Sequence, residues 1–282
     1  MAIVFDWQEE SIQKLIDNCP SEPVTPYLFK YLRKDMRILE AGCGSGRFVY
    51  FLDKFGYKIE GIEINKRTVD IINEKFPHLN IKYGDVTKLE YENESLDAII
   101  SLGVIEHVVE GIDGPIKEMF RVLKPGGLAV VIVPSFNKLR QIKYYLGLLH
   151  LSAFLKILKD NNIIRKLFNK TPLYNTVKVP RSSKYKTEPI LGNFYEYRFR
   201  KHEFENELKK GGFEIIESVP VSLVDGIYQE LGKLFAKLNN HTFTLTKLGM
   251  WTNNFLSKFP FFHNHMHLCI VKKRNHYNDR KN

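Results

Sequence analysis

The sequence predicts an α/β protein, a doubly wound, mostly parallel seven-stranded sheet with helical cap insertions. Three observations carry that expectation. Between Met36 and Pro134, short apolar runs alternate with amphipathic segments, and such alternation implies right-handed βαβ crossovers and a parallel sheet. Gly42, Gly44 and Gly46 lie between the first apolar run and the first amphipathic segment. Glu63 and Asp85 stand at the ends of the second and third runs, the edge where open α/β sheets bind ligands.

The elements follow in order. Ile12, Leu15 and Ile16 share one helical face, and Tyr27, Leu28, Tyr31 and Leu32 another, so the first 35 residues read as two short helices. Arg37–Ala41 is a strand, and Arg47–Phe55 a helix closed by Gly56. Lys58–Glu63 is the second strand. Asn65 can N-cap a helix running to Phe76, with Pro77 just beyond it. Leu79–Tyr83, Leu96–Leu102 and Leu128–Val133 are the third to fifth strands, and a helix through Met119–Leu123 precedes Pro125-Gly126-Gly127, a turn signal. Glu203–Lys210 adds a helix, Phe213–Val219 a sixth strand and His265–Lys273 a seventh. Residues 135–193 and 220–262 break the alternation.

Composition narrows the class. The chain of 282 residues is 44% hydrophobic and 26% charged, which is globular. No uncharged apolar stretch approaches the roughly 18 residues of a membrane span, so the sequence is read as excluding an integral membrane protein. Residues 1–10 have no basic region before their short apolar run, so a secretory signal is disfavoured and a cytoplasmic protein is expected. Cys19, Cys43 and Cys269 are far apart and form no CxxC pair. That disfavours a disulfide framework and a cysteine zinc site, and suits a reducing compartment.

The net charge of +10 is concentrated. Residues 138–187 hold 12 basic groups and one acidic group, a net +11, whereas residues 36–134 are at −3. The basic charge is a local device of one segment.

The run Glu40-Ala41-Gly42-Cys43-Gly44-Ser45-Gly46-Arg47 places the glycines after a strand and before a helix. Glycine there permits a tight turn and close approach of a ligand, and the helix N-terminus offers unsatisfied N–H groups. Glu63 is placed to accept hydrogen bonds from ribose hydroxyls, and Asp85 to meet an adenine amino group. An adenosine-containing ligand is favoured. A dinucleotide fingerprint beginning at Gly42 needs glycine at position 47, where Arg47 stands, and no phosphate-binding G-x-x-x-x-G-K-[ST] loop occurs.

These residues resemble the class I S-adenosylmethionine-dependent methyltransferases. The matching pieces are Glu40-x-Gly42-x-Gly44-x-Gly46, Glu63, Gly84-Asp85 and Leu96–Ser101, with Val104-Ile105-Glu106-His107-Val108 and Leu123-Lys124-Pro125-Gly126-Gly127. The resemblance covers residues 36–134 well and 194–219 loosely. It is closest to the small-molecule branch that methylates quinone precursors on oxygen. It implies a seven-stranded sheet whose last strand is antiparallel, with S-adenosyl-L-methionine as cofactor. Gly42, Gly44 and Glu63 would then serve its methionine and ribose portions, and Asp85 its adenine. Glu40 and Gly46 would belong to the same loop, and Ser101 and Leu102 would enter the turn beside the sulfonium. Many relatives carry aspartate where this chain has Glu63. The organisation expected is N-terminal helices over the cofactor site at 1–35 and a cofactor core at 36–134. A basic and apolar cap follows at 135–193, and 194–282 completes the core with a second insertion at 220–262.

Methyl transfer is an in-line displacement driven by positioning, which supplies roughly 7–11 kcal/mol. A base is needed only where the acceptor must lose a proton. Glu106 and His107 are the catalytic candidates. His107 reads either as general base or organiser, or as a cap or packing residue. Tyr197 and Arg198, in the alternating run Phe194–Phe199, are candidates for substrate contact or for one packed face. His263, His265 and His267 alternate and would share one face of a strand, yet no nearby acid completes a metal site, so no metal is expected. Tyr144–Leu155 carries no formal charge and is flanked by lysines and arginines. It reads as a buried lid helix, an element attaching to an anionic membrane surface, or a groove for RNA.

The function expected is methyl transfer to an oxygen or nitrogen of a small, anionic or lipid-linked acceptor. The alternatives are an RNA methyltransferase and a non-catalytic cofactor-binding partner. Base-amino and carbon-5 nucleic-acid enzymes are disfavoured. Gly103-Val104-Ile105-Glu106 replaces the Asn/Asp-Pro-Pro-aromatic motif of the first, and the nucleophilic cysteine of the second is absent near the fourth and fifth strands.

Overall fold

The structure is a computed structural model and describes residues 9–145, 186–187, 196–239 and 242–274. The chain divides into two compact units. One comprises residues 1–133, 202–221 and 267–282, the other residues 134–201 and 222–266.

The first unit opens with helices α1 (Glu9–Asn18) and α2 (Thr25–Tyr31), which bury Ile12, Ile16 and Leu28 as the periodicity predicts. Its strands are β1 (Arg37–Ala41), β2 (Lys58–Glu63), β3 (Ile81–Tyr83), β4 (Leu96–Leu102) and β5 (Leu123–Pro134). Between them run α3 (Arg47–Lys54), α4 (Lys66–Lys75) and α5 (Asp113–Val122). The chain then contributes α6 (Lys138–Tyr145), β6 (Lys186–Thr187), β7 (Tyr197–Arg198) and α7 (Lys201–Lys210). It closes with β8 (Phe213–Val221), α8 (Leu223–Leu231), β9 (Ala236–Asn239), β10 (Thr242–Leu245), α9 (Lys247–Leu256) and β11 (Met266–Lys273).

The seven-stranded sheet has the order β3-β2-β1-β4-β5-β11-β8. The pairs β1–β2, β1–β4, β2–β3 and β4–β5 are parallel. The last strand runs the other way. Lys273, at its end, donates to the carbonyl of Leu123, the first residue of β5, at 2.8 Å. His265, just before its start, accepts from the N–H of Ser135, just past the end of β5, at 2.8 Å. The antiparallel seventh strand implied by the resemblance is present.

Local chemistry explains the boundaries. Asn65 caps α4 by accepting from Thr68 N–H at 3.3 Å. Gly56, at φ +81°, follows the end of α3 in the left-handed region that favours glycine. β1, β2 and β4 match their expected limits, and each is buried on both faces along nearly its whole length.

Pro125-Gly126-Gly127 corrects the sequence reading. It is a bulge inside β5, not a turn before it. Leu96 pairs with Leu123 and Ala98 with Leu128, so residues 124–127 oppose Asp97 alone. Asp97 fixes the irregularity by accepting from Lys124 Nζ and from Arg37 N–H, both at 2.8 Å. β3 begins at Ile81, two residues later than expected, and Asp85 lies two residues past its end.

In the second unit, β6 and β7 pair antiparallel, as do β9 and β10. Arg140 and Lys143 of α6 both bond the buried Glu230 of α8. The apolar stretch Tyr144–Leu155 and the basic residues through Lys170 lie outside the described residues, apart from the end of α6.

Candidate functional site

The strand order reverses direction between β1 and β4, and a cleft of about 840 Å³, including its open mouth, sits at the carboxyl ends of β1 to β4. All of its lining belongs to the first unit.

The glycine loop forms one wall. Gly42 and Cys43 N–H groups both donate to the carbonyl of Ile62, at 3.0 and 2.8 Å, tying the loop to β2. Gly46 N–H closes the turn on the Cys43 carbonyl at 2.9 Å. Gly42, Gly44 and Gly46 have φ of +81°, +52° and +70°, where any side chain is strained. Packing adds to that demand. A Cβ on Gly42 would sit 2.4 Å from the Val104 side chain, and one on Gly46 2.7 Å from Ile81 Cδ1.

Glu63 is held at both oxygens. Gly44 N–H donates to Oε2 and Asn65 N–H to Oε1, each at 2.9 Å. Burial pushes its carboxyl above the ordinary range, while the Asn65 and Gly44 N–H groups pull it back. Each oxygen keeps acceptor capacity for a diol.

Glu40 is buried beneath the loop. Burial pushes its carboxyl up to about 8, against the pull of the Arg47 guanidinium and the Val49 N–H, with Glu63 adding to the rise. Its Oε2 has no hydrogen-bond partner among the described residues. The Cys43 thiol is likewise pushed well up by burial, which leaves it protonated and unreactive.

Asp85 lines the cleft from the turn after β3. Its Oδ1 accepts from both the N–H and the hydroxyl of Thr87 at 2.8 Å, which orients the carboxylate and stiffens the turn. Leu102 and Gly103 line the opposite side. Ser101 does not reach it; its side chain is fully buried within β4.

After β4 the chain makes a short 3-10 turn over Ile105–His107, with His107 N–H donating to the Val104 carbonyl at 3.0 Å. His107 lines the cleft, whereas Glu106 is buried behind it. Glu106 Oε1 lies 3.9 Å from His107 Nε2. That is an ion-pair distance when the ring is protonated and too long for a direct hydrogen bond.

Several lining residues were not among the expected site residues, the apolar Phe48, Ile64, Val86, Val104 and Val108 among them. Ile64 and Val86 directly follow Glu63 and Asp85, so an apolar residue after each strand-end acid was the available signal. Together they give the cleft an apolar wall beside its acids, which suits a flat heterocycle.

Other candidates lie elsewhere. Tyr197 and Arg198 belong to the second unit and are buried. Tyr197 packs on Phe199, and Arg198 Nη2 pairs with Glu196 at 2.8 Å. The three histidines do not share a strand, because β11 starts at Met266 and holds only His267. His267 Nε2 lies 2.9 Å from Ser218 Oγ, and burial lowers both His263 and His265, the latter to about 4 with Arg140 adding to the effect. Among the described residues, no group of three or more His, Cys, Asp or Glu is arranged to hold a metal, and no helix is long and apolar enough to cross a membrane.

Comparison with known proteins agrees with this geometry. A family model described as a methyltransferase domain matches residues 39–131, from β1 into β5. A probable S-adenosylmethionine-dependent methyltransferase of Mycolicibacterium smegmatis is 31% identical over 35% of this chain and 38% of its own length. A ubiquinone/menaquinone biosynthesis C-methyltransferase of Campylobacter jejuni is 29% identical over 66% of this chain and 74% of its own. A ubiquinone biosynthesis O-methyltransferase of Roseobacter denitrificans is 29% identical over 43% of this chain and 50% of its own. The match thus spans well under two thirds of the first and third relatives and about three quarters of the second. An S-adenosylmethionine-dependent methyltransferase structure from Mesorhizobium loti shares the fold at TM-score 0.55 and 14% identity, covering 90% of this chain and all of that one. The glycine cradle, the doubly held Glu63 and the family match converge on one stretch of the chain, and residues 39–131 form a class I S-adenosylmethionine-dependent methyltransferase domain, a family whose cofactor is S-adenosylmethionine.

Proposed function

We propose that the chain methylates an oxygen or nitrogen of a small acceptor that is anionic or attached to a lipid, with His107 as the base. The observation that carries this reading is the placement of His107 on the cleft wall with the Glu106 carboxylate 3.9 Å from its Nε2. A hydroxyl acceptor must lose its proton as the new bond forms, and an imidazole facing a carboxylate can take that proton and be stabilised as a cation.

The cofactor residues follow the same reading. The Gly42–Gly46 loop admits the methionine portion, Glu63 accepts from the two ribose hydroxyls, and Asp85 with Val86 marks the adenine. Glu40 shapes the floor of the loop, Leu102 faces the reacting end, and Ser101 supports it from within β4. S-adenosylmethionine, when bound, supplies a methyl group activated by its sulfonium. The protein's part is to hold the acceptor in line, exclude water and receive a proton on the His107 imidazole. Residues 1–35 serve as a lid and 36–134 as the cofactor core.

Two relatives support a ring-bearing, lipid-soluble acceptor, since their names place them in quinone biosynthesis, one acting on carbon and one on oxygen. The +11 segment at 138–187 adds a reason to expect an anionic group on the acceptor or its surroundings. Radiolabelled methyl donor, purified protein and cell extract test the reading. Label should enter the lipid or small-molecule fraction, at oxygen or nitrogen; label confined to RNA or protein, or a carbon-methylated product, would contradict it.

A further inference from the structure

The second unit presents an apolar helix face whose surroundings suit one kind of partner. α9 is anchored through Thr246, whose hydroxyl accepts from Gly249 N–H at 3.1 Å and donates to the Leu234 carbonyl at 2.8 Å. Gly249 packs so closely that a Cβ there would lie 1.8 Å from the Phe235 carbonyl oxygen. These contacts turn one face of the helix inward. The opposite face carries Leu248, Trp251 and Phe255 at helical spacing, and they are 43%, 71% and 57% exposed. Phe259, in the turn that follows, is 59% exposed. Single exposed apolar residues are ordinary, whereas an aromatic stripe held outward by a glycine contact marks an interaction surface.

Charge decides what that surface meets. From Leu231 to Val271 the sequence has no Asp or Glu, while Lys233, Lys237, Lys247 and Lys258 fall within it. Lys247 and Lys258 flank the stripe, and both are exposed. Aromatic side chains settle at the boundary of headgroups and acyl chains, and lysines beside them meet anionic headgroups. We propose that α9 and the turn after it dock the protein on an anionic membrane surface, with Trp251, Phe255 and Phe259 entering the interface. The inference rests on the reading of a lipid-linked acceptor and deepens it, because a docked enzyme meets an acceptor whose tail stays in the bilayer.

The chain has two tryptophans, Trp7 and Trp251, so Trp7→Phe leaves Trp251 as the sole reporter. Mixed with vesicles of phosphatidylcholine and phosphatidylglycerol, the full chain should show a blue-shifted Trp251 emission shielded from acrylamide, reversed by high salt and absent on phosphatidylcholine alone. In co-sedimentation, Trp251→Ser with Phe255→Ser should lower vesicle partitioning by about tenfold or more. Each of Lys247→Gln and Lys258→Gln should lower it by about fivefold. S-adenosylmethionine binding, read by calorimetry, should stay unchanged in all of these variants, which confirms folding and separates failure of docking from failure of the methyl-transfer reading. An unshifted Trp251 overturns the proposal. So does full vesicle binding by the double-serine chain, which would assign attachment to another segment. A dimer in sedimentation velocity that the double-serine change abolishes, without vesicle binding, would assign the face to a second copy and overturn it as well.

Discussion

Gly44 donates its N–H to the Glu63 carboxylate at 2.9 Å, so the loop proposed to receive the cofactor is held in place by the side chain proposed to bind its ribose. The glycine is at φ +52°, and the acid's other oxygen is fixed by Asn65 N–H at 2.9 Å. Loop and acid are therefore one preorganised unit, and little reorganisation is left to oppose binding.

Removing the acid should be felt mainly as lost affinity. Glu63→Gln keeps one oxygen acceptor but loses charge-assisted bonds, worth about 1.5–3 kcal/mol each. Calorimetry should show S-adenosylmethionine binding weakened by roughly 10–100-fold, with the melting temperature little changed. An affinity within threefold of wild type would exclude Glu63 from the ribose role.

Gly42 is a test of packing. Gly42→Ala adds a strained left-handed residue and a methyl 2.4 Å from Val104, and should cost about 2–4 kcal/mol in urea unfolding. Val104→Ala in the same chain should recover part of that loss, because it removes the atoms in conflict. Additive effects of the two changes would show that the clash is relieved in some other way.

Glu40 ties stability to pH. Its folded carboxyl is raised to about 8 from an ordinary 4.5, so between those values the native chain holds a proton that the unfolded chain has released. Stability should therefore fall as pH rises from about 4.5 to 8 and level off above that. Glu40→Gln keeps the shape without the ionisation and should flatten this part of the curve. Equal slopes in the two proteins would show that Glu40 is charged in the fold.

In the proposed mechanism His107 is the base. His107→Ala should lower kcat by roughly 10²–10⁴ while leaving cofactor affinity within about twofold, and the acidic limb of the pH–rate profile should disappear. A loss under threefold with an unchanged profile would leave positioning alone as the mechanism.

Much of the first unit was legible because its signals are local. β1, β2 and β4 are short buried segments ending at glycine, acid or turn, and the Asn65 cap and Gly56 stop can be read from neighbours in sequence. Pro125-Gly126-Gly127 was not legible, because whether it turns or bulges depends on Asp97 of the adjacent strand. Ser101 and Leu102 are adjacent, and only the strand's pleat decides which one faces the cleft. Glu40's titration escaped notice because burial, not residue type, sets it. The outward stripe of α9 depends on how closely Gly249 approaches Phe235, which no periodicity announces.

The most direct test of the account is calorimetric binding of S-adenosylmethionine to the wild type and to Gly44→Arg, with NAD as the control ligand. The wild type should bind S-adenosylmethionine and ignore NAD, and the folded Gly44→Arg protein should bind neither, because a side chain at φ +52° fills the approach beside Glu63. Unchanged S-adenosylmethionine affinity in folded Gly44→Arg would contradict the assignment of this cleft.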